Sequence, residues 1–154
     1  MKTILSFLFF VLASSSLMGH EGHDVPGSLP LPPHGGKITE AEHAEAQKGH
    51  KHGEGDELFF EAVYSNREIK VYPLLLKSSD ATRFAKMNPA KELKDVSLSV
   101  EFPRKKKNEP LKAKMTNDGL VASFNPKGSH RFILNIKSTF ANEKLAAKIQ
   151  LESR

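Results

Sequence analysis

The sequence contains no cysteine and no tryptophan. Without cysteine the protein has no disulfide, no thiolate metal ligand and no thiol nucleophile. Aromatic residues make up 8% of the chain, so the bases of a nucleic acid would find few side chains on which to stack. The composition therefore excludes a disulfide scaffold and argues against a nucleic acid as a partner.

The common catalytic motifs are also missing from the sequence. There is no Gly-x-Ser-x-Gly elbow, no His-Glu-x-x-His helix and no P-loop. Ser129 and His130 are neighbours, and neighbours on a strand point to opposite faces, so they do not form a nucleophile and its base. We therefore expect the protein not to be an enzyme.

The chain has one long apolar run, which lies at its start. Residues 4–12 are almost entirely apolar, follow Lys2 and precede the small residues 13–16. This pattern is typical of a secretory signal, so residues 1–19 are predicted to be a signal peptide, with no integral membrane span left after cleavage. Cleavage after Ala13, Ser15 or Ser16 fits best, whereas cleavage after Gly19 would make His20 the terminal residue. The predicted location is periplasmic or secreted.

Histidine is concentrated in the segment that follows this signal. Six of the seven histidines lie between His20 and His52, and Asp24, Glu54 and Asp56 add carboxylates. Imidazole is a common ligand of copper, zinc and nickel, so the tract predicts binding of a divalent transition metal, although a polar spacer remains an alternative. The candidate ligands in this segment are His20, His23, His34, His43, His50 and His52.

Charge and composition divide the rest of the chain in two. Residues 20–56 carry three Lys or Arg against seven Asp or Glu, while residues 57–154 carry nineteen against eleven. Residues 25–33 are rich in proline, and Thr39 with Glu42 resembles a capping box that predicts a short helix over 40–48. We therefore predict a flexible, acidic, His-rich arm over 20–56 and a basic domain over 57–154.

The basic domain alternates apolar and polar residues with the period of a β-strand. Asn117-Asp118-Gly119 predicts a hairpin, residues 78–94 look irregular, and Asn88-Pro89 predicts one helical turn. The pattern favours a single antiparallel, immunoglobulin-like β-sandwich of about seven strands. The seven predicted strands cover residues 58–64, 69–76, 96–102, 111–115, 120–124, 132–136 and 145–151.

Three short motifs carry a resemblance to a known family. They are the run Pro33-His34-Gly35-Gly36-Lys37-Ile38, the strand centred on Glu61 and the run Ile69-Lys70-Val71-Tyr72. Together they resemble the small β-sandwich domain associated with periplasmic adaptors of RND-type heavy-metal efflux systems, over about residues 33–152. The chain departs from that pattern at two positions. It has Phe60 where the family often has His, and Lys77 where the family often has Asp.

The resemblance implies a stand-alone domain that binds a metal and serves a heavy-metal efflux complex. The chain lacks the coiled-coil and barrel segments of a full adaptor. His34 and Glu61 are the positions carried over as metal ligands, and a third ligand would come from His43, His50 or His52.

Two features outside the arm leave other interpretations open. His130 precedes a strand and is expected to be a surface or core residue rather than a ligand. The basic run at residues 104–107 is expected at a solvated hairpin tip, where it would also suit anionic lipid or polysaccharide. The alternative function is therefore a non-metal interaction module of the cell envelope.

Overall fold

The computed structural model describes residues 29–44 and 55–153 of the chain. These ranges contain eleven strands, one short helix and one turn of 3-10 helix. In chain order the elements are β1 (Lys37–Glu40), β2 (Glu42–His43), β3 (Glu57–Ser65), β4 (Glu68–Lys77), β5 (Asp80–Lys86), α1 (Pro89–Glu92), β6 (Leu93–Phe102), the 3-10 turn (Pro103–Lys105), β7 (Lys107–Leu111), β8 (Ala113–Met115), β9 (Leu120–Ser123), β10 (Arg131–Phe140) and β11 (Glu143–Glu152).

The strands form two antiparallel sheets that pack face to face. The first sheet has the order β1-β3-β4-β9-β8, with β5 paired to β4, and the second has the order β2-β11-β10-β6-β7. The predicted all-β sandwich is confirmed. The only α-helix in the described ranges has four residues, and none there is long and apolar enough to cross a membrane.

The strand count is eleven rather than about seven because several strands lack a clear apolar pattern. The predicted strand over 111–115 is in fact two strands, since Leu111 pairs with Leu98 in the second sheet and Ala113 with Ala122 in the first. The chain changes sheets between them. Strand β5 carries three charged side chains and was expected to be irregular; its pairing with β4 gives it strand structure.

The segment assigned to the arm contributes strands to the sandwich. Strand β1 pairs with β3 in the first sheet, and β2 pairs with β11 in the second. The helix predicted over 40–48 is wrong for residues 40–44, since Glu40 pairs with Phe59 and the amide of Ala41 donates to Leu58 O at 2.8 Å. Pairing with the edge of a formed sheet overrides a capping pattern that has no apolar face to support it.

The core lies between the two sheets. Its most buried members come from alternate positions of four strands, β3, β4, β6 and β10, and burying each such large side chain contributes roughly 1.5–3 kcal/mol. They are Phe60, Ile69, Val71, Val100, Phe132, Leu134 and Ile136, all with no exposed surface.

A smaller apolar cluster covers the opposite, outer face of the first sheet. Phe59, Leu74 and Leu76 form it, with Ile38 and Phe84 packed against them. Strand β4 is therefore apolar on both faces, since Ile69 and Val71 face the core while Leu74 and Leu76 belong to the outer cluster. This outer cluster also borders the one fully buried carboxylate in the described ranges, that of Glu61.

Candidate functional site

Glu61 lies in the middle of β3 and points to the outer face of the first sheet. It pairs with Ile38 of β1 on one side and with Tyr72 of β4 on the other. Its side chain has 0% exposed surface. Because burying a carboxylate is costly unless hydrogen bonds replace the lost water, its surroundings must supply donors.

The donors come from the turn that precedes β1, residues 33–36. Glu61 Oε1 accepts from the amides of His34 at 3.0 Å and Gly36 at 2.7 Å. Its Oε2 accepts from the same His34 amide at 3.2 Å and lies 2.8 Å from His34 Nδ1. A carboxylate offers about four lone-pair sites, so these contacts occupy its capacity. We call this arrangement the His34 turn.

The sequence of the His34 turn explains its shape. Pro33 occupies the second position of a turn closed by the Gly35 amide donating to Pro32 O at 3.2 Å. Gly35 has a φ of +70°, which disfavours residues with a Cβ atom. A Cβ atom on Gly36 would lie 2.6 Å from Ala62 O and 2.9 Å from Glu61 Cγ, so only glycine brings the amide this close.

The imidazole of His34 is held on two sides. Its ring stacks on Tyr72 with centroids 3.7 Å apart and planes 10° from parallel. A carboxylate only accepts, so the contact between Nδ1 and Glu61 Oε2 places a proton on Nδ1. The neutral ring then carries its lone pair on Nε2. The side chain is 32% exposed, so it remains partly open to solvent.

Of the three predicted ligands that the structure describes, His34, His43 and Glu61, it brings His34 and Glu61 together. His43 lies on β2 in the second sheet, where its Nε2 is 3.8 Å from Glu143 Oε2. Within the described ranges, no group of three His, Asp or Glu side chains is placed to hold a metal ion. The other predicted ligands, His20, His23, His50 and His52, lie outside the described residues.

The hydrogen bonds of Glu61 differ from those expected of a carboxylate that binds a metal directly. Both of its oxygens already accept hydrogen bonds from the His34 turn, so binding a metal through them would leave buried N–H groups without an acceptor. Its contact with His34 Nδ1 is instead the arrangement by which carboxylates orient metal-binding histidines in other proteins. In this geometry Glu61 orients the imidazole of His34.

The stacking of the Tyr72 ring on His34 was not predicted, although the sequence contains a signal for it. The short polar segment Ser65-Asn66-Arg67 between two apolar runs sets the register of the hairpin formed by β3 and β4, and this register places Tyr72 opposite Glu61. The neighbouring Gly119 then allows close approach, since a Cβ atom there would lie 2.4 Å from Val71 O.

No protein-family model, no curated protein and no solved structure matches this chain. The family resemblance therefore rests on the motif residues alone. Any functional assignment must be argued from the contacts of this protein itself.

Proposed function

We propose that this is an exported protein that binds a divalent transition metal for buffering or for delivery to a heavy-metal efflux system. Copper, zinc and nickel all suit imidazole ligands, and copper(II) is intrinsically the tightest in nitrogen and oxygen sites. The supporting observation is that the buried carboxylate of Glu61 orients the half-exposed imidazole of His34.

Orientation of the ring favours metal binding in two ways. The hydrogen bond from Nδ1 to Glu61 selects the tautomer with its lone pair on Nε2, and it fixes the direction in which that lone pair points. Stacking on Tyr72 restricts rotation of the ring, so less conformational entropy remains to be lost when a metal binds.

One imidazole does not hold a metal ion, so the remaining donors must come from the other histidines. The proposed partners of His34 are His43, His50 and His52, which follow it closely in the sequence. His20 and His23 are separated from it by the proline-rich residues 25–33 and are expected to contribute less.

Calorimetric titration of the mature protein with copper, zinc and nickel tests the proposal. Replacing His34, His50 and His52 together by Ala should weaken binding more than replacing His20 and His23 together. His130→Ala is the control, since this exposed histidine is outside the predicted ligand set. Loss of binding only in the His20/His23 variant would place the site at the mature N-terminus.

The proposed role of Glu61 has its own test in Glu61→Gln. The amide oxygen of Gln can still accept from the two backbone amides, but its NH₂ group would then face Nδ1. The His34 ring would respond by moving its proton to Nε2, which removes the lone pair from the position a metal would use. Metal affinity should fall about 10- to 100-fold.

The readout that separates this effect from misfolding is the imidazole ¹⁵N NMR spectrum. A change of the His34 tautomer with an unchanged backbone spectrum is expected in the Gln variant. Unchanged metal affinity in a folded Gln variant would mean that Glu61 stabilises the turn and has no part in metal binding.

A further inference from the structure

A second candidate site lies where the tip between β6 and β7 faces the loop between β9 and β10. A cavity of about 340 Å³ opens there. This lies near the lower end of the roughly 300–1,000 Å³ typical of small-molecule sites. Its walls come from two segments, residues 102–105 and residues 128–131.

The lining of this cavity carries charge of one sign. Arg104, Lys105 and Arg131 contribute three cationic groups, His130 adds an imidazole, and no Asp or Glu is among the lining residues. Cations that share a small space repel one another, and an anion bound between them would relieve that repulsion. We call this cavity the basic pocket.

Specific contacts hold the walls of the basic pocket. Lys105 Nζ lies 5.5 Å from the centre of the Phe102 ring, and this ring is itself buried. Arg131 Nε is 3.5 Å from Glu152 Oε1, and a guanidinium has five N–H donors, so several remain for another acceptor. The cationic groups are therefore anchored without being fully engaged.

An ion-pair network connects the two walls. Glu109 of β7 contacts Lys107 Nζ at 2.8 Å and Lys127 Nζ, in the facing loop, at 3.0 Å. Hydrogen bonds from Lys107 and then Lys127 lower the pKa of Glu109 below its usual range. This network engages the Glu109 carboxylate with two lysines that do not line the pocket. Among the ion pairs formed by the described residues, none involves Arg104 or Lys105.

The loop that forms the second wall is also well defined. Lys127 and Gly128 both have positive φ, and the amide of Ser129 donates to Pro126 O at 2.9 Å. These two residues are the centre of a tight turn of the type found between strands. Its closure fixes the position from which His130 and Arg131 reach the pocket.

We propose that the basic pocket binds the phosphate group of an anionic ligand. Arginine matches the oxygens of a phosphate with paired N–H groups, and lysine adds a compact positive charge. The buried ring of Phe102 offers an apolar surface to the organic part of such a ligand. The phosphate would belong either to a soluble phosphate compound or to a phospholipid headgroup. This proposal does not depend on metal binding.

The test uses the mature protein with a chelator present, so that no metal contributes. Inorganic phosphate is titrated by NMR, and sedimentation measures binding to vesicles of phosphatidylcholine with or without phosphatidylglycerol. Arg104→Ala with Lys105→Ala should weaken binding about tenfold, because two of the charge-assisted contacts are lost. Lys112→Ala with Lys114→Ala removes the same formal charge outside the pocket and should change binding less than about twofold at about 0.15 M salt.

The outcomes identify the source of the phosphate. Binding of inorganic phosphate alone supports a soluble ligand, and binding of phosphatidylglycerol vesicles supports a lipid headgroup, provided that only the Arg104/Lys105 variant loses it. Equal losses in the two double variants would show attraction by net charge and overturn the proposal. Absence of binding to both probes would overturn it as well. Circular dichroism confirms that each variant is folded.

Discussion

The His34 turn and the basic pocket differ in whether their charged groups have partners within the chain. In the turn, three N–H groups converge on one buried carboxylate and satisfy it. In the pocket, three cationic side chains converge on a cavity whose lining has no carboxylate. The first region is complete within the chain, and the second has an excess of donors.

This difference determines how much each region contributes to folding and how much to ligand binding. A buried group that is satisfied by the chain contributes to folding, and its loss leaves unpaired donors that water cannot reach. An exposed group that lacks a partner contributes little to folding and remains available to a ligand. Substitutions that remove the acceptor or the close packing of the His34 turn should therefore lower the free energy of unfolding in addition to the proposed metal affinity, whereas those in the basic pocket should act mainly on phosphate affinity.

The largest expected effect is that of Glu61→Ala. This change removes the acceptor of the His34 and Gly36 amides and of His34 Nδ1. Each buried donor left without an acceptor costs about 1–3 kcal/mol, so the loss of all three contacts should lower the free energy of unfolding by several kcal/mol. Chemical denaturation of the variant measures the cost. A loss below about 1 kcal/mol would show that water replaces the carboxylate and that the turn is not satisfied by the chain alone.

A smaller loss is expected for Gly36→Ala. The added Cβ atom would meet Ala62 O at 2.6 Å, and this backbone oxygen cannot move without disturbing the pairing of β1 with β3. Overpacking of this kind costs roughly 1–3 kcal/mol. Gly55→Ala is the matched control, because nothing lies within 4 Å of its Cβ position. Equal stability of the two variants would contradict the close approach.

Tyr72→Leu tests the stacking on His34. The ring pair is expected to contribute about 0.5–1.5 kcal/mol beyond the area it buries. Tyr72→Phe keeps the ring and serves as the control, so its stability should stay close to that of the natural protein. If both variants lose the same stability, the hydroxyl group rather than the stacked ring is responsible.

Much of the fold follows from the sequence because apolar and polar residues alternate along the strands that form the sandwich core. Six of the seven predicted strands match single strands of the structure, the seventh spans the end of β7 and all of β8, and the turn at Asn117-Asp118-Gly119 joins β8 to β9. Strands β1, β2 and β5 were missed because edge strands are partly exposed and are fixed by pairing rather than by an apolar pattern.

The site was only partly predictable for a related reason. The resemblance indicated that His34 and Glu61 belong together, and the structure places their side chains 2.8 Å apart. Their roles depend on which N–H groups the oxygens of Glu61 accept from. The spacing of residues along the chain does not reveal this. The basic pocket depends on Arg131 meeting residues 104–105 across two loops, and that requires the register of β6 against β10.

The smallest expected effect on stability is that of Glu109→Gln, which removes a partly exposed carboxylate from the basic region. The pKa of Glu109 is lowered in the folded protein, so its stabilising contribution is present above its ordinary value of about 4.5 and is lost as the pH falls through the folded value. Melting of the two proteins should therefore differ slightly at pH 7 and converge in acid. High salt should also remove the difference.

The same substitution sharpens the contrast between the two regions. Glu109 holds Lys107 and Lys127, so Gln at this position would release both cations beside the basic pocket. Phosphate affinity should then rise while stability hardly changes, the reverse of what Glu61→Ala does in the His34 turn. Phosphate titration of Glu109→Gln at pH 7 measures this. A fall in affinity would mean that the Glu109 ion pairs are needed to hold the two walls together.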